Sequence, residues 1–436
     1  MKFFYLWVFS LAVPFHSGNA SEAASDISSK AEAPAPALLA NNTEDLSPDF
    51  PYNINSLARE QGIKHDLKYD GCNGFIRAGY IQTNVKHADK EQAYGSGSEL
   101  GCGFSWGRFF KFHSSAFAVI NPSFNGSDND AIQGDFFNAY KNSYITLGEA
   151  VMTLSYDRFE AHIGPQRINT PHMDQDDLRL LPNIFEAYLI DYHVSDEFYI
   201  GSGFVRTAKG WENNGNAEDF VGIGDAFGGD SSQAWLVWGK YQRGKLNASA
   251  WYYSIKDVQQ IFFADIVYQN KFKGLFAYEL GGQFDLGRST GNESAGFVEA
   301  NTLGVFASVS AYGLTFTTAF NKNFGKSAAV NSVGGGPFFT SMEDLTLDAV
   351  DSGSKAQSLL LNLEYQTYFV QGLTIGVAAG DFQAEKAEDF HAQEFDTYLR
   401  YQFQQMLSVD IMYAYIKDLK SSVNAEQVRV ILNYQF

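Results

Sequence analysis

The feature that most limits what this chain can become is a period of two. Apolar residues alternate with other residues in Leu303-Val305-Ala307-Val309, Leu314-Phe316-Thr318-Phe320 and Leu359-Leu361-Leu363-Tyr365. The same rhythm runs through Leu373-Ile375-Val377-Ala379, Phe395-Thr397-Leu399-Tyr401-Phe403 and Leu407-Val409-Ile411-Tyr413-Tyr415. Side chains of a strand point alternately to its two faces, so each run presents one mostly apolar face and one different face. The second face carries Asn362, Glu364, Gln366, Asp396, Arg400, Gln402 and Asp410. Charged groups at this density require water, which excludes a sandwich with two dry inner faces.

The connections also alternate. Short ones fall at Ser195-Asp196-Glu197, Arg243-Gly244-Lys245, Tyr312-Gly313, Val370-Gln371-Gly372 and Gln404-Gln405-Met406. Most others are long, at 121–142, 166–183, 210–231, 286–299 and 323–356. Short turns at one rim and long loops at the other are the organisation of a transmembrane β-barrel. From Cys72 to Phe436 the pattern predicts about 18 strands, an even number, which returns both ends to one side. The expected fold is therefore all-β: an antiparallel transmembrane barrel with a constriction loop folded inward.

Composition agrees with such a wall. Only 19% of the 436 residues are charged and 16% are aromatic, yet the mean hydropathy is −0.21. A sheet with one lipid-facing and one wet side has that average. A net charge of −19 argues against nucleic acid as a partner, because neutralising phosphate needs a basic surface. No uninterrupted apolar stretch is long enough for a transmembrane helix.

Residues 1–20 read as a secretory signal peptide: Lys2, an apolar run from Phe3 to Phe15, then Ser17-Gly18-Asn19-Ala20. Residues 21–69 read as a periplasmic arm or linker, with a short helix conceivable over 53–68, and 70–436 as the barrel. At the other end Val428, Val430, Leu432, Tyr434 and Phe436 alternate with Arg429, Ile431, Asn433 and Gln435. This is an ordinary terminal strand, or one whose final Phe436 is read by the bacterial barrel-assembly machinery.

A wide barrel leaves an aqueous lumen unless something narrows it. The candidate is the long loop at 166–183. Pro171 and Pro182 stiffen it, Leu178, Leu180 and Leu181 can pin it to the wall, and Asp174, Asp176 and Asp177 would project into the lumen. Arg167 and Arg179 belong to the same loop. On the wall, parity turns Arg77, Arg400 and Arg429 inward, and closing the barrel sets these three on one section. Arg206 and Lys240 are further candidates, although aromatics occupy both faces of their strands. Guanidinium groups grip carboxylates with two prongs, which suits capture of organic acids. The alternative is that the arginines only neutralise Glu364, Asp396 and Asp410 in the wall.

The run 164–187, GPQRINTPHMDQDDLRLLPNIFEA, resembles the constriction region of the OprD-like family of bacterial outer-membrane porins. The segment Gly336-Pro337-Phe338-Phe339-Thr340-Ser341-Met342 is similar to another long loop of that family. The resemblance covers about residues 70–436. It implies an 18-stranded, monomeric or loosely trimeric pore in the Gram-negative outer membrane, in contact with its lipid. It also implies a basic ladder facing loop acids, and passive, selective uptake of small carboxylates or amino acids. A general diffusion porin and a structural or adhesive surface barrel are the competing readings.

Nothing points to an enzyme, a cofactor or a metal. The histidines do not cluster in sequence, and Gly222-Ile223-Gly224-Asp225 completes no nucleotide-binding motif. Asp128, Asp130 and Asp135 read as solvated loop acids rather than calcium ligands. Cys72 and Cys102 share outward parity on consecutive strands, leaving either a cross-strand disulfide or two free thiols.

Overall fold

The computed structural model describes residues 67–436, apart from 127, 214–216, 273–275, 351–354, 388 and 421–422. The expected signal peptide and nearly all of the expected arm and helix lie outside the described residues. Leu67 and Lys68 are already strand, so pairing begins slightly before residue 70.

Eighteen strands close on themselves, each antiparallel to the next. They are β1 (Leu67–Val85), β2 (Glu91–Trp106), β3 (Phe110–Ile120), β4 (Tyr144–Tyr156), β5 (Phe159–Gln166) and β6 (Ile184–His193). Then follow β7 (Phe198–Lys209), β8 (Ala234–Arg243), β9 (Leu246–Ile255), β10 (Gln259–Phe272), β11 (Phe276–Ser289) and β12 (Glu299–Ala311). The last are β13 (Leu314–Asn323), β14 (Gln357–Gln366), β15 (Leu373–Gln383), β16 (His391–Phe403), β17 (Leu407–Asp418) and β18 (Asn424–Gln435). β18 pairs with β1 over Phe75↔Gln435 to Val85↔Ala425, which removes both sheet edges. The terminal Phe436 exchanges two 3.0 Å backbone hydrogen bonds with Gly74, locking the seam.

The wall is inside-out relative to a soluble sheet. On β14, Leu359, Leu361 and Leu363 are 43–44% exposed, whereas Asn362 and Glu364 between them are 5% and 8% exposed. Apolar side chains left open on the outside and charges buried inside are stable only when the outside is lipid. Cys72 and Cys102 stand directly opposite across β1 and β2 and form a disulfide.

Most long loops lie at one rim and short turns at the other, but the long-loop rim also carries the short connections 86–90 and 419–423 and one tighter still. Residues 256–258 join β9 to β10 tightly at the long-loop rim. The long loops fold into the lumen, where their apolar residues find a core. Leu180, Leu181, Phe136 and Phe137 pack on the β1–β3 wall, and Phe338, Met342, Leu347 and Val350 pack on β13–β18.

Candidate constriction and arginine wall

β5 is short and releases the chain inward at Gln166, giving loop L3 (residues 167–183). The loop turns back through a two-residue pairing, Asn169↔Asp174 and Thr170↔Met173. It then meets loop L7 (residues 324–356) deep in the lumen. Asp174 N–H donates to Val333 O at 2.8 Å, and Val333 N–H to His172 O at 3.0 Å. Leu180 is 1% exposed and rests on the inner wall at Gly79, Gly95 and Gly97. The fit at Gly97 is so close that a Cβ there would lie 2.5 Å from Leu180 O. Leu180 and Leu181 are the pins, while Leu178 is only half-buried.

Arg179 is the hub of the fold-in. It is 1% exposed, lies 4.5 Å over the Trp211 ring, and donates to Asp135 at 3.1 Å and Glu343 at 3.3 Å. Asp135, expected to be a solvated loop acid, therefore faces inward. Burial and three loops' worth of carboxylates surround this one guanidinium, and the neighbouring acids hold its proton more tightly still.

The structure brings Arg400 of β16, Arg429 of β18 and Arg77 of β1 onto one section of wall, and the first two meet Asp410 of the intervening β17. Arg77 donates to Asp177 Oδ2 at 2.7 Å, to the Arg179 carbonyl at 3.0 Å and to Asn433 at 3.1 Å. Arg429 binds Glu343 and lies 3.2 Å from Asp410. Arg400 is 3.4 Å from Asp410, lies over the Tyr398 ring, and keeps a quarter of its side chain exposed. Arg167 binds Glu99, with Glu149 at 3.7 Å. Lys240 faces inward, 5.1 Å from the Trp251 ring centroid.

Two expectations are corrected. Arg206 is not on the inner wall: the pairing steps from Ala187↔Val205 to Glu186↔Thr207, so Arg206 is the extra residue of a β-bulge. Its side chain is 59% exposed and bonds Glu186 on the outer face. Nor do the loop acids stand across open lumen from the arginines. Asp177 binds Arg77 directly, Asp174 bends back to accept the Asp176 N–H at 2.7 Å, and Asp176 is 1% exposed. Asp177 is in direct contact with the basic wall it was expected to face across the lumen.

Glu343 was invisible to sequence reasoning, yet it accepts from Arg179, Arg429 and Gln427. A signal did exist: Phe338, Phe339 and Met342 form an apolar patch in a long loop, which can only be stable packed against something. Lys209, also missed, fills the gap in the wall above β5 by bonding Thr146 Oγ1 and the Leu147 carbonyl of β4. Glu99, His113 and Glu149, from three successive strands, have ligand atoms within 4.8 Å of one another and could hold a metal ion. The Arg167 guanidinium between the two carboxylates supplies their counter-charge instead.

Residues 132–436 match the family model described as "outer membrane porin, OprD family". No curated protein matches the chain in sequence. Among solved structures, Pseudomonas aeruginosa OccK9 (OpdG) is similar with a TM-score of 0.74 at 16% identity, over 86% of this chain and 100% of that one. P. aeruginosa OpdK, solved with vanillate, gives 0.71 at 16% identity over 86% and 100%. Acinetobacter baumannii OccAB3 gives 0.72 at 14% identity over 85% and 100%. These likenesses at low identity establish the shared fold.

Proposed function

Because the chain belongs to the OprD family of outer-membrane porins, its barrel is a channel rather than an enzyme, and we propose that it selects small carboxylates or amino acids. The observation that carries this reading is the wall itself: three arginines on three of four neighbouring strands, bordering the loop that narrows the lumen. Among them Arg400 is the accessible one, with a quarter of its side chain exposed. A solute carboxylate that displaces Asp410 from Arg400 exchanges one charge-assisted pair for another, so transit costs little while neutral solutes gain nothing. The vanillate in the OpdK structure, an aromatic carboxylate, is consistent with this chemistry in a barrel of the same fold.

Residues 1–20 serve on this reading as the export signal, and Phe436 as the residue presented to the assembly machinery. The test is single-channel recording in planar bilayers with added organic acids. The wild type should show saturable, carboxylate-dependent block, and Arg400→Ala with Arg429→Ala should weaken it about tenfold, in line with loss of one or two charged hydrogen bonds. Unchanged block and ion selectivity in that variant would leave a general diffusion porin, in which the arginines only brace Asp410, Glu343 and Asp177.

A further inference from the structure

Where L3 meets loop L4 (residues 210–233), the chain gathers oxygen atoms without donors. Asp174 and Asp176 come from L3, and Glu212 comes from L4. Asn183 donates to the Asp174 carbonyl at 3.4 Å, and Trp211, next to Glu212, donates to the Asp176 carbonyl, which sets Glu212 beside both acids. Asp176 is 1% exposed, and neither of its carboxylate oxygens receives a hydrogen bond. Asn183, which is 2% exposed, donates its amide N–H to Glu212 Oε2 at 2.5 Å, while its own Oδ1 is buried and unpaired. Glu212 Oε1 is likewise buried without a donor.

The nearest positive group is Arg179, but its hydrogen bonds go to Asp135 and Glu343. Asp176 and Glu212 therefore lie near each other with Asp174 alongside, and among the described residues no cation bonds either of the two. Burying an ionised carboxylate unpaired costs several kcal/mol, so the folded loops need either protons or a bound cation there. The unpaired atoms are all oxygens, three from the carboxylates of Asp176 and Glu212 and one from the neutral carboxamide of Asn183. That is the donor set of a hard divalent ion, and its adaptable, loop-borne arrangement suits calcium better than magnesium, which demands a near-ideal octahedron.

We propose that Asp176, Glu212 and Asn183, with Asp174 in support, form a calcium site that ties the constriction loop to L4. The site is independent of which solute the pore selects. Its effect is mechanical: a cation bound by both loops holds L3 across the lumen and fixes the width of the constriction.

Trp211 provides a local reporter, because its indole N–H donates to the Asp176 carbonyl at 3.2 Å. The experiment uses the full barrel in detergent, free of lipopolysaccharide and stripped with EDTA. Calorimetry should show one calcium ion bound per chain with micromolar-to-millimolar affinity. Terbium added to the same protein should luminesce on tryptophan excitation. Trp211→Phe should abolish that luminescence while leaving calcium binding measurable by calorimetry. Asp176→Asn with Glu212→Gln should weaken calcium binding roughly 100-fold. Absence of binding to the wild type overturns the proposal whether or not the variants fold. So does luminescence that survives Trp211→Phe, or a loop response to pH alone with none to calcium.

Discussion

At the residue scale the molecule turns on Arg179. A buried guanidinium shared between Asp135 and Glu343 joins three loops, L2 (residues 121–143), L3 and L7, that meet nowhere in sequence. Removing one partner of such a group strands the other charges in a low-dielectric site, at a cost of about 3–5 kcal/mol. Arg179→Ala should therefore release the loops without opening the barrel, since no strand pairing depends on it. The measurement is limited proteolysis of folded protein. We expect new cleavage within L3 and L7 of the variant while the barrel keeps its resistance to heat. Charge alone is not enough, because Arg179→Lys keeps a cation but loses the fork that reaches both acids. Residue-scale contacts were also the least legible in the sequence. Arg179 and Glu343 are 164 positions apart, and no local pattern links them. Arg77 with Asp177 was half-legible: parity gave the direction of each, but not that they touch.

At the scale of elements, strands were read correctly because their signal is local and repeats every second residue. Parity assigned Arg77, Arg400 and Arg429 inward, since an uninterrupted strand carries its alternation from end to end. It failed at Arg206, where one inserted residue in β7 resets the alternation. Aromatics on both faces leave the parity of Arg206 open, and the bulge decides it for the outer face. Loops were legible only as long and acidic. Their burial has a consequence the strands do not share, because burial raises the Asp174 carboxyl to about 6, Asp344 to about 7 and Glu212 to about 8. A carboxyl whose folded pKa is raised binds more protons folded in than released. The inward loop arrangement is then favoured at acid pH and loses stability as pH rises from near 4.5 through about 8. In EDTA, conductance and loop cleavage should both increase between pH 5 and pH 9. A fall in either over that interval, measured by bilayer recording and proteolysis, would contradict the burial of these acids.

At the scale of the whole molecule, the proposed carboxylate selectivity has to be reconciled with a net charge of −19. The acidic excess is partly consumed inside, where Asp177, Glu343 and Asp410 neutralise arginines that would otherwise trap any anion permanently. A channel needs binding weak enough to release its solute, and a guanidinium already held by an exchangeable carboxylate meets that need. On the proposed function, the arginine wall distinguishes solutes by charge rather than size. Proteoliposome swelling with a matched pair, benzoate and benzamide, tests it most directly, because the two differ in charge and hardly in shape. Benzoate should enter several-fold faster than benzamide through the wild type, and the two should enter at equal rates through Arg400→Ala. Equal rates through the wild type, or a benzoate advantage that survives Arg400→Ala together with Arg429→Ala, would contradict it.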